Sequence, residues 1–141
     1  MNTSLSPSLW KAYAETVFVV FERRQEIAIR VGTLCPHVDR LLATRGVHCA
    51  AFVTAWNPRS RPWSRVANRQ ANQRLRAAID RRRHRYLPGE GRPIAGDWGS
   101  EASLLVFGLT LRAATSLGRR FGQNAIVYVE RGRPTRLVRS R

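Results

Sequence analysis

The chain has 141 residues, 43% of them hydrophobic, and sets 25 Lys+Arg against 9 Asp+Glu for a formal charge of +16. That length suits one domain able to bury roughly two thirds of its unfolded surface, and the apolar share excludes general disorder. No segment recurs at a fixed period, which excludes a repeat architecture.

Residues 1–7 are polar and expected to be a flexible N-terminus, ahead of a single globular domain over 8–138 and a basic tail at 139–141. Ser8 to Ala14 can form a short helix. Thr16 to Phe21 (TVFVVF) is β-branched and aromatic, as a buried strand requires, and a tight Glu22 to Gln25 turn joins it to Glu26 to Val31 as a hairpin. Pro36 suits a first helical turn, and Val38, Leu41 and Leu42 form an apolar stripe that runs to a Gly46 cap. Cys49 to Trp56 is nearly continuous in apolar character and reads as a central strand covered on both faces.

Ser64 to Arg85 is the longest predicted helix. Ala67, Ala71, Leu75, Ala78 and Ile79 mark its inner face, and Arg65, Arg69, Asn72, Arg76 and Arg83 lie along an outer one. Pro88 to Ser100 is Gly/Pro-rich and reads as a long loop. Leu104 to Leu109 (strand), Leu111 to Phe121 (helix) and Ala125 to Val129 (strand) follow, and a Gly132 to Pro134 turn leads into a short basic strand. The order α-β-β-α-β-α-β-β-α-β-β implies an α+β fold, one mixed β-sheet with about four helices packed on it.

Charge is concentrated rather than spread. Residues 1–56 hold 6 basic and 4 acidic groups, 57–95 hold 11 and 2, and 96–141 hold 8 and 3, so the middle segment carries more than half of the excess. Only Lys11 is a lysine and the other 24 basic residues are arginines, a ratio that points to GC-rich coding as part of the cause. Within the middle segment, residues 57–65 link the central strand to the long helix, where free backbone N–H groups and a positive dipole end favour anions. Ser60 or Ser64 can cap the helix. Arg59, Arg61, Arg65 and Arg69 offer guanidinium forks for an oxyanion, and Trp63 is positioned to stack on an unpaired base. The plain alternative is an Asn57-Pro58 turn with capping serines, solvated arginines and a packed Trp63.

Glu90, Asp97 and Glu101 cluster in sequence and suit either acid–base work or ordinary pairing with arginine. Gln123 and Asn124 suit either a ligand or buried backbone groups. Cys35, His37, His48 and Cys49 do not have metal spacing, because His48 and Cys49 point to opposite faces of a strand, and no metal or cofactor is expected. Neither a P-loop nor a GxSxG elbow is present, so no catalytic motif is recognised. Two cysteines make no disulfide framework, the chain start does not look like an export signal, and Thr16 to Phe21 is too short to span a bilayer. A cytoplasmic protein without a membrane partner is expected.

The segments LWKAY at 9–13, TAWNPRS at 54–60, the helix with Asn68, Asn72 and Leu75, PGEG at 88–91, Trp98 through Glu101 to Ser103, and RFGQNAIVYV at 120–129 together resemble a bacterial family. It is the one catalogued as domain of unknown function 3293. The resemblance spans nearly the whole chain, supplies no activity, and implies that Asn57, Ser60, Asn68, Glu90, Glu101, Gln123 and Asn124 recur in the family. If these converge, they outline a polar pocket at the strand ends. The leading expectation is a binding module for nucleic acid or another polyanion, centred on 57–65 and the arginine face of the long helix. The alternatives are a small enzyme acting on a phosphate- or carboxylate-bearing substrate in that polar pocket, and an interaction domain for an acidic protein partner.

Overall fold

A computed structural model describes residues 6–94 and 99–141. The elements are α1 (Pro7–Glu15), β1 (Val17–Glu22), β2 (Gln25–Arg30), α2 (Pro36–Thr44), β3 (Cys49–Val53), a 3-10 turn at Pro58–Ser60, α3 (Arg65–Arg81), β4 (Tyr86–Arg92), β5 (Glu101–Phe107), α4 (Leu111–Arg120), β6 (Ala125–Glu130) and β7 (Arg136–Arg139). The α+β class, the four helices and the element order are those the sequence implies.

The seven strands form one sheet in the order β2-β1-β4-β5-β3-β6-β7. Every neighbouring pair is antiparallel, so the sheet is not the mixed one expected. The reason lies in the crossovers. α2, α3 and α4 each return the chain to a parallel strand that is not the neighbour of the one before, as when β3 slots between β5 and β6 on either side of α4. β3 is covered on both faces, as its apolar run predicts. Ala51 and Val53 pack with Ala71, Leu75 and Ile79 of α3 and Ala114 and Leu117 of α4. Ala50 and Phe52 pack with Val38, Leu41 and Leu42 of α2.

Several boundaries differ from expectation. β3 stops at Val53 because the Thr54 hydroxyl leaves the ladder to donate to Ala102 O and accept from Trp56 N. α3 ends at Arg81, since Arg83 has a φ of 60°. Residues 86–92 are a strand rather than the start of a loop. Pro88 is tolerated in it because the β1 ladder pairs only Gly89 to Arg92 and stops short of a residue with no N–H to give. At the termini, Ser6 caps a helix that begins at Pro7, and Ser140 is buried, its N–H on Asn124 O. The first helix therefore begins one residue before position 8, and packing continues past 138 to Ser140. Among the described residues, no helix is long and apolar enough to cross a membrane.

β4 contributes glycine where side chains would collide. A Cβ on Gly89 would lie 2.3 Å from Val19 O and 2.8 Å from the Phe52 ring. Gly89→Ala is therefore expected to push β1 from β4 and cost about 3 kcal/mol. Val66→Ala, at a 62% exposed site on α3, should stay within about 0.5 kcal/mol. Urea unfolding of both variants provides the comparison.

Candidate functional site

Between β3 and α3 the backbone takes a strained path, with φ of 45° at Asn57 and 59° at both Arg59 and Ser60. Left-handed φ costs a residue with a Cβ on the order of 1 kcal/mol or more, so the surroundings must hold the turn in place. Asn68, buried on α3, is the main restraint. Its Oδ1 accepts from Asn57 N at 2.7 Å, and its Nδ2 donates to Asn57 Oδ1 at 2.8 Å and to Trp63 O at 3.3 Å. Asn57 Oδ1 also accepts from Trp63 N at 2.9 Å. One turn further along α3, Asn72 accepts from Ala55 N and donates to Ala102 O, tying the turn to β5. The start of β6 supplies a second restraint. Gly122 carries a φ of 71° and approaches Pro58 so closely that a Cβ would lie 2.8 Å from its ring, and its carbonyl accepts from Arg59 N at 2.6 Å. Gln123 Nε2 donates to Trp56 O, and Asn124 Nδ2 donates to Ser60 Oγ, which is also hydrogen-bonded to the Tyr13 hydroxyl.

The turn forms one wall of a cavity of about 180 Å³. Leu9, Ala12 and Tyr13 of α1 close one side of it, and Phe18, Phe52, Val127 and Leu137 supply an apolar wall. The space follows from the β4 register. Gly91 pairs with Phe18 on one side and Glu101 on the other, so no side chain from β4 fills the gap, and the Phe18 and Phe52 rings meet edge to face at 5.5 Å. Glu101 is the acid at this gap. Burial pushes its carboxyl up to about 7, and the Asn57 Nδ2 donor at 3.4 Å opposes that shift without cancelling it. An acid with that pKa exchanges its proton near neutral pH.

The structure separates the residues singled out in the sequence. Asn57, Ser60, Glu101 and Gln123 do converge on the cavity, with Asn68 and Asn124 behind them as supports. Glu90 does not join them. Side chains alternate along β4, so Glu90 points away from the gap at Gly91 and binds Arg92, which also bridges to Glu26 and holds that carboxyl below its usual range. Asp97 and Trp98 lie outside the described residues. Arg59, Arg61, Arg65 and Arg69 are exposed, and no acid pairs with them among the described residues. Ser64, rather than Ser60, caps α3, accepting from Ala67 N. Trp63 is 43% exposed rather than packed in the core.

Two further residues, Tyr13 and Asn72, belong to this candidate site. Tyr13 lies in the LWKAY segment but carries no site signal of its own. Asn72 was placed on the arginine face, yet it stands four residues after Asn68, a spacing that puts both amides on one side of a helix. Among the described residues, no group of three or more His, Cys, Asp or Glu is gathered to hold a metal.

A family model described as Protein of unknown function (DUF3293) matches residues 53–126, more than half of the chain. The matched region contains the turn, Asn68, Glu101 and Gln123, and leaves Tyr13 and α1 outside. No curated protein and no solved structure matches the chain.

Two outcomes are expected. Asn68→Ala removes three hydrogen bonds and strands buried partners, and should cost about 3 kcal/mol in urea unfolding and speed amide exchange at Trp63. Glu101 gives a pH dependence. Its folded pKa of about 7 exceeds the ordinary 4.5 of a free carboxyl. The stability is therefore fully present below the unfolded pKa and is lost as pH rises through the folded one, on the order of 3 kcal/mol in all. Glu101→Gln should flatten that profile, making the variant more stable than the parent at about pH 8.

Proposed function

The chain belongs to the DUF3293 family, and on that premise we propose that it binds a small organic molecule in the cavity beneath α1, with Glu101 as the acid–base group acting on it. One observation carries the reading: a carboxyl with a pKa near 7 at an apolar gap that no β4 side chain fills. Cavities of mainly apolar lining with a few convergent polar groups are where small ligands bind, and a group poised near neutrality suits general acid–base work.

The lining also bears on ligand chemistry. Its charged residues are Glu15 and Glu101, with no Lys, Arg or His among the described lining residues, in a chain with 25 Lys+Arg. An anion would meet no countercharge there. The reading therefore favours a ligand with an apolar body and a neutral or amine head, in place of the phosphate- or carboxylate-bearing substrate that the arginine content suggests. Asn57 and Gln123 present amides, Ser60 and Tyr13 present hydroxyls, and Phe18 and Phe52 receive the apolar body. The protonated Glu101 donates to a developing negative oxygen. Once ionised it accepts a proton or pairs with an ammonium. Two free cysteines agree with a reducing, cytoplasmic setting, and the family resemblance with a bacterial one.

The test uses three probes with one body: benzylamine, benzyl alcohol and benzoate, followed by ligand-observed NMR. Benzylamine should bind and tighten about tenfold between pH 6 and pH 8 as Glu101 ionises, benzyl alcohol should bind with little pH dependence, and benzoate should be excluded at pH 8. Glu101→Gln should abolish the pH dependence, and Ala12→Trp should block all binding. Equal binding of benzoate, or amine binding indifferent to Glu101→Gln, would overturn the reading.

A further inference from the structure

A second concavity, a groove of about 600 Å³, lies along α3 where the C-terminal end of α4 approaches it. Arg74, Ala77 and Arg81 line it from α3, and Arg120, Phe121 and Gly122 line it from the end of α4. The α3 residues stand at i, i+3 and i+7, which places them on one helical face. Small residues (Ala55, Ala71, Ala77 and Gly122) leave room between the guanidinium groups, and Pro58 and Trp63 of the β3–α3 turn close one end.

Among the described residues, three arginines and no acid line this groove. The only acid on α3, Asp80, faces Tyr86, whose phenol is held above its usual range by burial and by this carboxylate. Arg81 and Arg120 lie in the last turns of their helices, where a cation also complements the helix dipole. Arg74, in the middle of α3 and exposed, has no such role. Trp63 is 43% exposed beside this charge, which leaves part of its indole ring open to a partner. Phosphates fit the guanidinium forks and an unpaired base fits an open indole face. A duplex hides its base faces, and an acidic peptide leaves the indole without a planar partner.

We propose that this groove binds single-stranded nucleic acid, with Trp63 stacking on a base and Arg74, Arg81 and Arg120 holding the phosphates of adjoining nucleotides. The site is separate from the Glu101 cavity, although the β3–α3 turn lines both. It moves the polyanion surface from Arg65 and Arg69 to the face of α3 that meets α4.

The experiment is fluorescence anisotropy of a labelled short poly-uridylate, repeated with a DNA duplex of equal length and with uridine monophosphate as competitor. The oligonucleotide should bind with a log–log salt slope of about −2, the value for three phosphates at about −0.7 each on a single strand. Trp63→Ala should weaken binding about tenfold or more without changing that slope, since stacking is not ionic. Arg74→Gln with Arg81→Gln and Arg120→Gln should weaken it at least as much and flatten the slope. A control that removes three exposed arginines elsewhere, Arg24, Arg131 and Arg133, should leave affinity nearly unchanged. Should the triple groove variant prove unstable, Arg74→Gln alone together with Trp63→Ala decides the matter. No binding, an equal loss in the control, duplex binding as tight as single strand, or competition by the mononucleotide at the oligonucleotide's own concentration would each overturn the proposal.

Discussion

The reciprocal amide pair of Asn57 and Asn68 is the constraint on which the candidate sites depend. Two short hydrogen bonds, Asn57 N to Asn68 Oδ1 at 2.7 Å and Asn68 Nδ2 to Asn57 Oδ1 at 2.8 Å, bind the end of β3 to the first turns of α3. They make a left-handed path through Asn57, Arg59 and Ser60 affordable. Once that path is set, Asn57 Nδ2 faces Glu101, Ser60 reaches Tyr13 and Asn124, and Trp63 is left on the solvent side. Neither amide is replaceable by an apolar residue of similar size, because each answers a backbone or side-chain group that burial would otherwise leave unpaired.

Around this turn the sheet sets the dimensions of the cavity. Glycine at 89 and 91 lets β4 pass close to Val19, Phe52 and Phe18, so the strand contributes backbone where any other residue would fill the space. Removing side chains there has an electrostatic consequence. Glu101 faces an apolar wall with a single amide donor, and its proton is retained to about pH 7. A residue that would be an ordinary surface acid in another register becomes a titratable group in the physiological range.

The basic charge also takes on a spatial meaning. A chain of +16 keeps its arginines out of the lining of one cavity and sets three of them along the other. A coding bias toward arginine offers no reason for this division, which follows from which faces of α3 and α4 pack on the sheet. The apolar faces of both helices go to the cluster beneath β3, and the arginines at 74, 81 and 120 are left around a common groove.

Periodicity and punctuation in the sequence determined the elements: alternation of Ile27 and Ile29, the Pro36 helix start, the Gly46 and Gly122 ends, and the two-faced apolar run of β3. Local physics decides these, so they were legible without neighbours. The placing of the fourth strand at residues 86–92 was not, because Pro88, Gly89 and Gly91 are poor strand formers whose conformation is imposed by partners on both sides. The convergence of Asn57, Ser60, Glu101 and Gln123 was legible only as a resemblance and a conditional. Its geometry, the exclusion of Glu90 by strand alternation, and the arrival of Tyr13 from α1 are set by register and packing over separations of 40 residues and more, as between Tyr13 and Ser60 at 47. Sequence determined which chemistry was present, and tertiary structure alone decided which groups share a cavity, because burial and register depend on partners distant in the chain.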